Sequence, residues 1–124
     1  MKKTYDMYLG AVFEKVASEF LWETKPFGFN LLGRWWYKDK EIDLVALNNN
    51  ENKIYFIECK WMNLRKGKAG KLLYELKEKA MFVDWKKDAK KYYVIIAKKV
   101  ENKEVFKKEG YYVFDMDDMS KIMG

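Results

Sequence analysis

Glu41-Ile42-Asp43-Leu44-Val45-Ala46-Leu47, a run of asparagines at 48–50, and then Lys53-Ile54-Tyr55-Phe56-Ile57-Glu58-Cys59-Lys60-Trp61 form the stretch from which the fold is read. Both apolar runs alternate with the period of two that a strand requires. The first puts Ile42, Leu44 and Ala46 on one face and Glu41, Asp43 and Val45 on the other. The second groups Ile54, Phe56, Glu58 and Lys60, opposite Tyr55, Ile57, Cys59 and Trp61. The Asn-rich link predicts a tight turn. A hairpin of this kind carries Asp43, Glu58 and Lys60 to one end of the sheet.

That grouping has a chemical meaning. Two carboxylates on adjacent strands can hold a divalent cation, and a nearby ammonium can orient or deprotonate a water and offset charge developing on a phosphoryl centre. Taken alone, Glu-x-Lys in a strand is also common on exposed sheet faces. Glu14 adds an independent acid. On the helix expected there, Gly10 precedes it by four residues and Ala17 follows by three, so small neighbours let the carboxylate approach the sheet. A solvated glutamate beside a buried Phe13 fits the helical period equally well.

Upstream of the hairpin, Tyr5, Leu9, Val12, Phe13, Val16, Phe20 and Leu21 recur at three- and four-residue spacing, which predicts an amphipathic helix over 5–22 with Thr4 as N-cap. Pro26, Gly28 and Asn30 break it, and Phe29 to Tyr37 is aromatic-rich and extended. Downstream, Arg65 to Gly70 reads as a loop opening a second helix with apolar positions Ala69, Leu72, Leu73, Leu76, Ala80 and Val83. Tyr92 to Ala97 reads as a buried strand, Asn102 to Glu109 as a short helix, Gly110 to Phe114 as a final strand and Met116 to Met123 as a last helical turn or two. With no repeat or linker, the order α-β-β-β-α-β-α-β describes one α/β domain over residues 1–124, a central mixed sheet flanked by helices.

Composition narrows the chemistry. There is no histidine and one cysteine, Cys59, which excludes internal disulfides, zinc clusters and every His-based triad. Carboxylates without imidazole suit hard cations such as Mg²⁺ or Mn²⁺. Cys59 is expected to be a small buried residue with no thiol chemistry, only its carbonyl lying near a metal. No apolar run approaches a membrane span or signal peptide, so a cytoplasmic location is expected. The net charge of +6 is uneven, since Lys60 to Lys91 holds eleven lysines and arginines against four acids. Such a segment suits a polyanion, or is simply a solvated Lys-rich helix. Arg65, Lys66, Lys68 and Lys71, interleaved with Gly67 and Gly70 at a helix start, offer cations and backbone N–H groups to a phosphate. Trp35, Trp36 and Trp61 are expected to fill the core or an interface rather than to stack on bases.

The run Glu41, Ile42, Asp43 followed by Ile57, Glu58, Cys59, Lys60, Trp61, behind a helix with Gly10 and Glu14, resembles the PD-(D/E)XK nuclease superfamily. More narrowly, Gly33, Arg34, Trp35, Trp36 and the Glu58-Cys59-Lys60-Trp61 ending resemble the nuclease-like domain at the C-terminus of a family of archaeal ATPases. The match spans roughly residues 5–97, the αβββαβ core of a restriction-endonuclease-like fold. Ile42 stands where the superfamily name has proline. The resemblance implies Asp43 and Glu58 as ligands of Mg²⁺ or Mn²⁺, Lys60 as catalytic lysine, and Glu14 as the helix-borne acid completing the site. It implies DNA as partner and phosphodiester hydrolysis as activity. A non-catalytic module with the same fold, serving an ATPase domain or protein, is the rival. A dimerisation domain with aromatic anchors, forming a homodimer, is the weaker third possibility.

Overall fold

The hairpin forms as the alternation requires. In the computed structural model, which describes residues 2–123 and the side chains of 8–121, strand β2 (Lys40–Asn48) pairs antiparallel with β3 (Lys53–Leu64) from Asn48↔Lys53 to Leu44↔Ile57. The turn closes on its own polar groups: Glu51 N–H donates to Asn48 Oδ1 at 2.9 Å, and Asn48 Nδ2 donates to the Gly28 carbonyl at 3.0 Å. Asn52 adopts the left-handed conformation, φ 58°, which asparagine tolerates better than most residues.

Strand β1 (Leu31–Tyr37) adds to the free side of β2, while β4 (Lys90–Val100) and β5 (Tyr112–Phe114) add in parallel beyond β3. The result is a five-stranded mixed sheet in the order β1-β2-β3-β4-β5. Helix α2 (Lys66–Ala80) connects the parallel pair β3 and β4, as a crossover must. Helices α1 (Lys2–Thr24) and α4 (Met116–Met123) cover one face, α2 and α3 (Lys103–Lys108) the other.

On the α1 face, Phe13, Ala17, Phe20 and Leu21 pack on Leu44, Ala46, Tyr55, Ile57, Cys59, Val94 and Ile96. The apolar row of α1 is therefore narrower than the sequence period suggests. Val12 and Val16 are exposed because the sheet is met by the row through residues 13, 17, 20 and 21. Helix α1 begins before Thr4, so Thr4 lies inside it rather than capping it; the side chains of Thr4 and Tyr5 fall outside the described residues.

Two further differences bear on function. Residues 65–70 are not a loop: Arg65 is the N-cap of α2 and the turn is tied down by Ala69, buried with Leu73 and Leu64. The helix ends at Ala80, so Val83 lies beyond it. Ile42 does not share a face with Leu44 and Ala46. It packs with Ile54, Phe56, Leu76 and Ala80 under α2. The cause is a register slip in the β1–β2 ladder, where Gly33 opposes Val45 but Trp35 opposes Ile42, so Asp43 and Leu44 of β2 face the single residue Arg34.

Phe20 is fully buried and stacks edge-on against Phe114 at 5.4 Å between centroids, fixing the helix that carries Glu14 to the sheet. Phe20→Ala is expected to cost about 3–5 kcal/mol in urea unfolding, while Tyr74→Ala at an exposed site is expected to stay within about 0.5 kcal/mol. Equal effects at the two positions would contradict this packing.

Candidate active site

The slip in β2 coincides with the end of its pairing to β3. Beyond Leu44↔Ile57 the two strands no longer share a ladder, and they diverge around Asp43 and Glu58. Asp43 Oδ2 accepts the backbone N–H of Cys59 at 2.8 Å. A side-chain carboxylate thus does what a strand carbonyl would otherwise do, and the acid is fixed at the mouth of the fork.

An open cleft of about 580 Å³ lies here, lined by Gly10, Ala11 and Glu14 of α1, Arg34 of β1, Glu41 and Asp43 of β2, and Cys59, Lys60 and Trp61 of β3. Three of the sequence-selected residues, Glu14, Asp43 and Lys60, therefore share one cleft. Gly10, four residues before Glu14, also lines the cleft, but a side-chain carbon there would meet open space, so its smallness is not what admits the carboxylate. Arg34 faces it, with Nε 3.9 Å from Glu14 Oε1 and a second guanidinium nitrogen 4.0 Å from Glu41.

Glu58 is placed differently. It does not line the cleft; its side chain is 4% exposed, and Oε1 receives Lys79 Nζ at 2.9 Å. Lys79 also donates to the Glu41 carbonyl at 2.9 Å. Neither Arg34 nor Lys79 is marked as a site residue by the sequence reading. Arg34 sits in a recognisable Gly-Arg-Trp-Trp run, but Lys79 carries no local signal beyond standing one residue before buried Ala80 on the rim of the apolar stripe of α2.

Electrostatics tie the group together. Burial and the Asp43 charge push the Glu14 carboxyl above the ordinary carboxylate range, against the opposing pull of Arg34. Burial and the same Asp43 charge push Glu58 upward, against Lys79 and Lys60. Asp43 is the acid that both glutamates share, and Lys60 the cation. Burial, with Asp43, Glu14 and Glu58, drives the Cys59 thiol well above its usual value and keeps it protonated. The donors are hard oxygens carrying more negative charge than the local cations relieve, which fits a hard divalent ion. Among the described residues, no three acids or thiols gather closely enough to hold one ion.

Lys60 borders a second depression of about 220 Å³, shared with Met62, Lys68, Lys71, Leu72 and one acid, Glu75, against three lysines. It stands on the wall between acidic cleft and basic groove. Arg65 and Lys66 are exposed nearby in sequence but do not line that groove. Trp35 packs under α2, Trp61 lies against Phe13 at 5.1 Å, and Trp36 is 71% exposed on the edge strand. Among the described residues no helix is long and apolar enough to cross a membrane.

Comparison with known proteins gives three findings. A family model, DUF234, described as archaeal and bacterial proteins of unknown function, matches residues 1–72. An uncharacterized protein of Methanocaldococcus jannaschii is 43% identical over 97% of this chain, which spans 28% of that relative's length. The crystal structure of a repair endonuclease from Pyrococcus abyssi superposes with a TM-score of 0.56 over 81% of this chain and 45% of its own, at 13% identity. That likeness establishes an α/β architecture of the restriction-endonuclease-like kind.

Because the folded-state pKa of Glu14 is raised, its stabilising contribution is present below the unfolded value of about 4.3 and is lost as pH rises through the folded value. Glu14→Gln should therefore melt with wild type near pH 4 and increasingly above it toward pH 7. A wild-type protein more stable than the variant at pH 7 would refute the crowding of charge around Asp43.

Proposed function

The chain belongs to the DUF234 family of archaeal and bacterial proteins, and we propose that it is a metal-dependent DNA endonuclease domain of the PD-(D/E)XK type. The observation that carries this is the meeting of Glu14, Asp43 and Lys60 in one cleft at the β2–β3 fork, with Glu58 electrostatically joined to Asp43. Asp43 and Glu58 would hold Mg²⁺ or Mn²⁺ and Glu14 would complete the acid set, which requires the three carboxylates to draw together on loading, since among the described residues they do not gather closely enough beforehand. The Cys59 carbonyl is the backbone oxygen next in the strand. When bound, such an ion supplies an activated water and neutralises charge on the phosphate. Lys60 orients the attacking water and meets the charge that builds on the phosphate oxygens. Asp43 is kept in place by its bond to the Cys59 N–H.

DNA would approach over the basic groove. Lys68 and Lys71 share that groove with Lys60, so a backbone lying there brings a phosphate to the wall of the acidic cleft. Arg65 and Lys66 extend the same charge at the start of α2, which has no acid in its first turn and no side-chain cap on its N–H groups.

A second possibility, a DNA-binding or ATPase-associated module that does not cut, is favoured by one observation: Lys79 already neutralises Glu58. Since the chain spans 28% of its M. jannaschii relative, an ATPase domain or partner elsewhere in a longer protein is part of that proposal. Exposed Trp36 on edge strand β1 supports a protein partner or a second copy on that side.

Nicking of supercoiled, linear and branched DNA with Mg²⁺ or Mn²⁺ separates the two. Lys60→Ala and Asp43→Asn are each expected to reduce cutting about a hundredfold or more. Lys60→Ala should cost little DNA affinity, since one lost charge lowers the salt slope by only about one. Asp43→Asn, which keeps an oxygen for the Cys59 N–H, should bind DNA as well or more tightly because a repelling charge is gone. Wild-type protein that binds every substrate and cuts none would leave the non-catalytic module.

Replacing Lys66, Lys68 and Lys71 together by alanine should weaken DNA binding regardless of sequence and lower the slope of log affinity against log salt by about 2–3. An unchanged slope would move the DNA path elsewhere.

A further inference from the structure

Among the described residues, Lys79 is the cation that enters the β2–β3 fork from the helical layer. Its Nζ lies 2.9 Å from Glu58 Oε1 and 2.9 Å from the Glu41 carbonyl, so it bridges the two strands where their ladder has ended. Its partner is nearly sealed, but Lys79 itself is 25% exposed at the last turn of α2, next to the exposed Met81 and Phe82. The lysine therefore has a route to solvent that the glutamate lacks.

An ordinary structural ion pair would account for a buried carboxylate meeting an ammonium. Three features point beyond it. The carboxylate is the glutamate of the Glu-Cys-Lys run, the charge next to it is Asp43, and Lys60 of the same run has no ion pair among the described residues. One cation is thus committed to the buried acid while the neighbouring lysine stays free to face the groove.

We propose that Lys79 is an exchangeable counter-ion. It occupies Glu58 in the metal-free protein and withdraws toward solvent when a divalent cation takes the same oxygen. The inference rests on the metal-dependent function proposed above and adds a residue that controls how readily the site loads. A ligand that can bind only when Lys79 has left has its apparent affinity reduced by the fraction of molecules in that state. Lys79 then sets a threshold of metal concentration. It also limits the repulsion between Asp43 and Glu58 in the unloaded protein, so the site stays folded while empty of metal.

Exchange and structural support predict opposite signs, which makes them separable without an activity assay. Calorimetric titration of Mn²⁺ into the full chain is expected to show Lys79→Met binding about tenfold more tightly than wild type, because the competitor is gone. The same variant without metal should melt at a lower temperature, since Glu58 is left buried and unpaired, and should gain more from Mn²⁺ than wild type gains. Glu58→Gln should weaken Mn²⁺ binding. Equal or weaker Mn²⁺ affinity in Lys79→Met, with wild type still binding, overturns the exchange and leaves the metal site standing. No Mn²⁺ binding by either protein overturns both.

A measurement on wild type covers the case in which the variant does not fold. Acetylation of Lys79 by acetic anhydride, followed by mass spectrometry, should become several-fold faster at saturating Mn²⁺ as the amine leaves Glu58. A rate unchanged by Mn²⁺ that binds overturns the exchange.

Discussion

The arrangement around the cleft depends on one local departure from strand regularity, the slip of β2 at Asp43 and Leu44. A strand in perfect register would keep Ile42 with Leu44 and Ala46 on the α1 face and would continue its ladder past Ile57. The slip sends Ile42 under α2 instead, where it is fully buried against Phe56 and Leu76. The ladder then ends, and the N–H of Cys59 needs an acceptor that β2 no longer supplies. Asp43 provides it. The unpaired N–H of a buried strand costs on the order of 1–3 kcal/mol, so the carboxylate stabilises the fold at the point where it also opens the cleft.

That double duty explains how the surrounding charges are distributed. Asp43 is shared by Glu14 on one side and Glu58 on the other, and its charge adds to the larger effect of burial in raising the proton affinity of both. Each glutamate accordingly has a cation of its own, drawn from a different element. Arg34 of β1 stands near Glu14 at long range, and Lys79 of α2 touches Glu58 directly. The difference in burial accounts for the difference in closeness. Glu14 keeps 25% of its side chain in contact with solvent, which screens it, whereas Glu58 keeps 4% and requires a direct partner.

Much of this is legible in the sequence, and the illegible part has a common cause. The hairpin, the order of elements and the two-layer helical cover follow from periodicity and turn residues, which are local properties. The hairpin length likewise fixes which strand ends adjoin and so brings Asp43 and Lys60 together. The same parity groups Glu58 with them, whereas Glu58 lies outside the cleft against Lys79, and helical period alone leaves Glu14 equally placed for solvent. What periodicity misses is a single extra residue in one strand. Alternation carried through Asp43 without a break puts Ile42 on the wrong face, and no glycine marks the slip within β2. Gly67 and Gly70 mislead in the other direction: they suggest a loop, but the burial of Ala69 beneath the sheet outweighs their weak helical preference. Lys79 escapes a reading by periodicity because its role exists only between α2 and β3, twenty-one residues apart.

The placement of Lys60 shows why the basic segment and the acid cluster belong to one surface. Positive charge spread evenly over a small domain attracts DNA without orienting it, since phosphate contacts carry no preference for one part of the protein over another. Here the groove of Lys68 and Lys71 ends at Lys60, and the wall formed by Lys60 is also a wall of the cleft that holds Asp43. On the function proposed above, a backbone following the lysines would be led toward the acids and repelled by them in the absence of a neutralising ion. In a protein that binds a polyanion beside this cleft and loads a divalent cation into it, as proposed, the two events would be coupled by charge. On that proposal the same acids would weaken DNA binding in the unloaded protein and, once a cation is held, would be the reason that a phosphate settles there.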